Sequence, residues 1–112
     1  MIDISFNDFL KVELRIGKII SAEEFPEARS PAYILHVDFG EEIGVRKSSA
    51  QITDRYKTKD LEGKLVVGVV NFPPKQIGPI KSQCLVTGFH DEQGGVVLCV
   101  PDKPVPLGTR LL

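Results

Sequence analysis

The side chains that do chemistry are sparse in this chain and badly spaced for catalysis. Ser82, His90 and Asp91 supply the parts of a hydrolytic triad, but no glycine-flanked elbow presents the serine. Lys47 and Ser48 would form a dyad only if both faced one way, and neighbours on a strand point to opposite faces. His36 falls on the polar side of an alternating run, where it reads as a solvated residue. Cys84 and Cys99 both sit in apolar, strand-like runs and read as free, buried, reduced thiols. There is no Cys-x-x-Cys, no His/Cys set at metal-ligand spacing and no Gly-rich phosphate loop. These patterns predict a protein that binds rather than an enzyme, with no cofactor and nothing able to hydrolyse a nucleotide.

Two kinds of ligand fit the remaining residues. A peptide site needs exposed apolar surface with a few convergent polar groups, and Phe25, Tyr33 and Phe72 are the aromatic candidates near loops. Phe72 precedes Pro73-Pro74, so its backbone is held extended; its ring either faces a ligand or plugs the end of a barrel. Asn71 beside it either meets the ligand or satisfies loop backbone. An open strand edge could also accept an extended chain by backbone pairing. For an anionic ligand, the net charge of −1 conceals an asymmetry. Residues 1–42 carry nine acids and four bases, whereas residues 43–112 carry six acids and ten bases. Arg46, Lys47, Arg55 and Lys75 lie in the basic half and are candidate phosphate contacts. Few aromatics are free to stack on bases, which favours recognition of folded RNA by shape over single strands.

The elements that must position these residues are short. Ser5-Phe6-Asn7-Asp8 is a capping-box pattern and predicts a brief helix through Leu10. Val12, Leu14 and Ile16 alternate with polar residues as in a half-buried strand, and the phase slips at Gly17, which predicts a bulge there. Residues 24–32 read as a loop. Leu35, Val37 and Phe39 share one face of a second strand, and a hairpin turn leads to a third strand over residues 43–47. A helical turn or two is expected between Ser49 and Asp60. Residues 64–71 form an apolar strand stopped by Pro73-Pro74, and Cys84–Thr87 and Gly95–Val100 form two more around the turn His90–Gly94. The tail from Pro101 should be extended. Five or six short strands with one interposed helical turn predict an all-β fold, a closed Greek-key barrel of the oligonucleotide/oligosaccharide-binding (OB) kind, as one domain over residues 1–112. No apolar run approaches the roughly 20 residues of a membrane helix, and Met1–Ser5 lacks the features of a signal peptide, so a cytoplasmic location is expected.

Several blocks carry a resemblance. Leu14-Arg15-Ile16-Gly17-Lys18-Ile19, Phe25-Pro26-Glu27-Ala28, Val37-Asp38-Phe39-Gly40, Asn71 to Ile77, Lys81-Ser82 and Pro106 to Arg110 resemble the tRNA-binding domain family. That resemblance implies an OB barrel and covers nearly the whole chain. Ser48 to Thr53, Val70 to Pro74 and Pro101 to Pro106 are similar to the CsaA-type members, stand-alone export-related chaperones. This implies a homodimer that binds unfolded preproteins without ATP. Members that bind tRNA usually continue Ser-x-Gly-Met from the position of Ser82; here the chain reads Ser82-Gln83-Cys84-Leu85. Ser82 and Leu85 are thus further RNA-contact candidates, and the departure implies weaker tRNA binding.

The ends of the chain are unusually apolar. Ile2, Ile4, Phe6 and Phe9 at one end, and Leu107, Leu111 and Leu112 at the other, either cap their own barrel or pack across a two-fold axis. The dimer implied by the resemblance favours the second arrangement, with Ile4, Phe6, Phe9, Leu107 and Leu111 as interface candidates.

Overall fold

Ser5 opens the chain's first element as expected: its hydroxyl accepts from the Asp8 N–H at 3.1 Å while the Asp8 carboxylate receives the Ser5 N–H. This reciprocal cap starts helix α1, Phe6–Leu10. The structure is a computed structural model and describes all residues from Met1 to Leu112. After α1 come β1 (Leu14–Glu24), β2 (Tyr33–Asp38), β3 (Val45–Ala50), α2 (Thr58–Leu61) and β4 (Leu65–Val69). The hairpin β5 (Lys75–Ile77) and β6 (Ile80–Ser82) follows, then β7 (Leu85–Val86), β8 (Gly88–His90) and β9 (Val96–Leu98).

The main sheet is antiparallel throughout, in the order β3-β2-β1-β4-β7. β1 is long enough to serve two neighbours. Its first half pairs with β4 (Leu14↔Val69 to Lys18↔Leu65) and its second half with β2 (Lys18↔Asp38 to Glu24↔Tyr33). A strand shared in this way must bend, and it does so at a bulge between Ile19 and Ser21. The bulge was expected at Gly17. Gly17 instead makes room: a Cβ there would lie 2.5 Å from a Val37 methyl and 2.7 Å from the Phe39 ring. Gly68, adjoining it on β4, would meet the same ring at 2.8 Å. The two glycines form a slot for Phe39, which is fully buried.

The barrel is nearly closed. Its seam, between β3 and the chain from Ser82 to Cys84, is made largely by side chains rather than by a backbone ladder. The Gln83 N–H donates to Lys47 O at 2.7 Å, and the Lys47 N–H donates to Gln83 Oε1 at 3.0 Å. Ser48 Oγ donates to Cys84 O, and Ser82 Oγ accepts from the Ser49 N–H. The core inside is drawn mainly from Ile19, Tyr33, Leu35, Val37, Phe39, Leu61, Val66 and Leu98.

Two other expectations needed correction. β3 runs on through Ala50, because Ser48 and Ala50 turn inward and are buried, and α2 begins only at Thr58. The β5–β6 hairpin and β8 were not foreseen. β5 follows two prolines, and its turn, Gly78-Pro79, needs the left-handed φ of +53° that Gly78 adopts. The tail is extended but not free: Gly108 N and Thr109 O pair with Ile16, and the Leu111 N–H donates to Leu14 O, filling the edge of β1 that β2 leaves open.

Candidate functional site

An open groove of about 1020 Å³ lies beside the seam. Its walls are the loop 27–32, Ser49 at the end of β3 with Gln51 just beyond it, the segment from Phe72 to Gly78, and Ser82 to Leu85. The apolar part holds Ala28, Ala32, Phe72, Ile77 and Leu85, and the charged part holds Glu27, Arg29 and Lys75. Phe72 is 55% exposed and Leu85 49%, so two large apolar side chains face solvent in one concavity. Such exposure is ordinary singly and informative when it converges. Cys84 forms part of the floor and is buried, and burial pushes its thiol up to about 11, which keeps it protonated and inert.

The groove gathers residues from both candidate sets. Phe72 was a peptide candidate; Lys75, Ser82 and Leu85 were RNA candidates; all four line it. Ser82 also works as a structural brace through its bond to Ser49. The other candidates lie elsewhere. Phe25 and Tyr33 are 3% and 6% exposed, so neither presents a ring to a partner. Both fall where the chain turns inward: Tyr33 opens the inward-facing row of β2, and its hydroxyl donates to Tyr56 O at 2.8 Å. Asn71 is spent on backbone. Its Oδ1 accepts from the Glu13 N–H at 3.0 Å and its Nδ2 donates to Lys11 O at 2.6 Å, pinning the α1–β1 connection to the end of β4.

The arginines are also committed internally. Arg46 donates to Val70 O at 2.9 Å. Arg55 is clasped by both Asp91 carboxylate oxygens, at 2.6 and 3.1 Å, and the hydrogen bond from Arg55 holds the Asp91 carboxyl down at about 2. Lys47 is half-buried, with its backbone in the seam. None of the three lines the groove. The triad considered earlier does not form either: Asp91 serves Arg55, and His90 Nδ1 lies 3.0 Å from Gly94 O.

Sequence reasoning missed Arg29, Gln51, Gln76 and Ile77 as groove residues. Gln51, Gln76 and Ile77 lay in blocks noticed only for their resemblance, Arg29 followed the Phe25-Pro26-Glu27-Ala28 block, and the hairpin carrying Gln76 and Ile77 was unforeseen, so none of the four was given a role.

The two ends of the chain lie together. Arg110 donates to Leu10 O and pairs with Glu13 at 3.2 Å, which also pairs with Arg15. Ile4 and Phe6 are each 68% exposed and Leu111 48%, while Phe9 and Leu107 are half-buried. The Phe6 and Phe9 rings sit 6.4 Å apart. No helix is long and apolar enough to cross a membrane.

Residues 14–110 match the family described as "Putative tRNA binding domain". Chaperone CsaA from Bacillus anthracis str. Ames is 50% identical, with a TM-score of 0.92 over 99% of this chain and 100% of that one. The CsaA chaperone protein from Picrophilus torridus is 44% identical, with a TM-score of 0.92 over 98% of this chain and 100% of that one. The methionine–tRNA ligase of Thermococcus kodakarensis is 38% identical over 96% of this chain, which spans 14% of the ligase's length.

Proposed function

We propose that this chain, which belongs to the tRNA-binding domain family, is a cytoplasmic, homodimeric, ATP-independent chaperone that holds unfolded or export-bound polypeptides in the groove beside the barrel seam. One observation carries the reading: Phe72 and Leu85 stand exposed in a single concavity whose charge is only two cations against one acid. Cys84 and Leu85 stand where the resemblance to tRNA-binding members implies Gly-Met, and both line the groove, so the departure lies in the groove itself. The similarity to structures named as CsaA chaperones supports the same function. The apolar ends of the chain, held side by side by the contacts of Arg110 with Leu10 O and Glu13, would pack on their symmetry mates and bring two grooves into one particle, adding avidity for long clients.

A second reading rests on the family match: tRNA as a partner. The two ligands respond oppositely to salt. Two groove cations imply a slope of about −2 in log K against log[salt] for RNA, a loss of roughly tenfold between 50 and 200 mM. Apolar peptide binding persists or strengthens. Fluorescence anisotropy with a labelled unfolded peptide and a labelled tRNA across a salt series separates them. Peptide binding that survives salt supports the chaperone; salt-sensitive tRNA binding with no peptide signal overturns it.

A further inference from the structure

The β5–β6 hairpin carries a detail that the groove's lining alone does not convey. Its pairs are Lys75↔Ser82, Gln76↔Lys81 and Ile77↔Ile80 around the two-residue turn Gly78-Pro79. In a two-residue hairpin the pair that flanks the turn, here Ile77 and Ile80, is the one that exchanges the hydrogen bonds closing it. Strict alternation then makes Gln76↔Lys81 the pair without mutual bonds. The Gln76 N–H and C=O therefore point away from β6, and no other part of the chain takes either one. The Gln76 side chain does not fold back on them, since its Nε2 donates to Gly78 O at 2.8 Å. β5 has no second neighbour in any sheet, and Gln76 lines the groove together with Phe72 and Lys75.

We propose that an extended, unfolded polypeptide segment docks in the groove as an added strand on the open edge of β5, pairing with the backbone N–H and C=O of Gln76. This rests on the reading of the groove as a polypeptide site and supplies its mode of recognition. One residue of an extended chain offers an acceptor and a donor at the spacing that Gln76 presents, whereas a phosphate offers acceptors alone. Pairing through backbone is indifferent to side-chain identity, which is what a binder of many unfolded clients requires. Alternate side chains of the added strand fall on the Phe72 and Leu85 side of the groove. Arg29 and Lys75 against Glu27 leave the walls net positive, complementary to acidic side chains on the client. Pro73 and Pro74 end the edge at once because they carry no N–H. The pairing is therefore confined to a few residues, which limits it to weak, releasable binding and blunts edge-to-edge aggregation.

The test uses the full chain and a short, labelled, unstructured peptide of apolar and acidic residues, followed by anisotropy. N-methyl groups are placed one at a time along the peptide backbone, removing single N–H donors while keeping every side chain. Edge pairing is expected to give an alternating response, with affinity falling about tenfold at one parity of positions and little at the other. A uniform response from a peptide that binds well would sink the edge-pairing proposal and leave the peptide-binding function standing. A peptide that does not bind at all, beside a tRNA that does, overturns both. Gln76→Pro removes the outward N–H and leaves the backbone bonds between β5 and β6 in place, though it also removes the side-chain bond from Gln76 Nε2 to Gly78 O. It should weaken peptide binding several-fold, and equal affinity in a variant of unchanged melting temperature would count against the proposal.

Discussion

Replacing Phe72 with Ala tests whether the exposed ring is a binding surface. A phenylalanine presents about 200 Å² in all, so 55% exposure leaves about 110 Å² open to a ligand. At ~25 cal/mol per Å², covering all of it is worth up to about 2.7 kcal/mol, and covering half about 1.4 kcal/mol. Phe72→Ala should therefore raise the peptide dissociation constant about tenfold to a hundredfold. The packed remainder of the ring, about 90 Å², makes the fold weaker by up to ~2 kcal/mol, a lowering of the melting temperature by several degrees. Anisotropy with a labelled unfolded peptide reads the first quantity, and thermal unfolding followed by circular dichroism reads the second. A folded variant that binds peptide as tightly as the parent would refute the reasoning, because the ring would then lie outside the contact. A melting temperature that collapses would mean that Phe72 plugs the barrel.

Gly17→Ala forces a methyl to within 2.5 Å of Val37 and 2.7 Å of Phe39; thermal unfolding should show a loss of about 1–3 kcal/mol, and an unchanged melting temperature would mean that the Phe39 slot yields freely. Asp91, held at about 2 by Arg55, has a depressed carboxyl, so its contribution is present above the unfolded value near 3.8 and disappears as pH falls through about 2. Asp91→Asn should lower stability at neutral pH and flatten that part of the acid limb in a pH series of melting temperatures; parallel curves would show that the clasp contributes nothing. Removing residues 1–9 deletes Ile2, Ile4, Phe6 and Phe9 and should release monomers by light scattering, while an intact dimer mass would place the interface elsewhere.

Elements governed by local rules were legible in the sequence. The cap at Ser5, the alternation of β2 and the stop at Pro73-Pro74 all follow from one to four neighbouring residues and are present where the pattern put them, and the turn expected at His90–Gly94 is there with His90 taken into β8. The OB barrel was legible because those short elements in that order leave few ways to close a sheet. The site was only partly legible. Phe72 was picked out because the two prolines after it hold its backbone extended, which left facing a ligand and plugging the barrel both open until its exposure decided, and Lys75, Ser82 and Leu85 because of resemblance or charge. Phe25 and Tyr33 were misplaced, since an aromatic at a loop boundary looks the same whether its strand turns it inward or outward.

What the sequence determined alone was therefore periodicity, capping and punctuation. Tertiary structure decided which residues meet. It tied Asn71 to the backbone of Lys11 and Glu13 across 60 and 58 positions and spent Arg55 on Asp91 across 36. It laid the hairpin from Lys75 to Ser82 beside the loop 27–32 to make a groove. Hydrogen-bond partners and burial are settled by contacts between distant segments, and a side chain's availability to a ligand is what those contacts leave over.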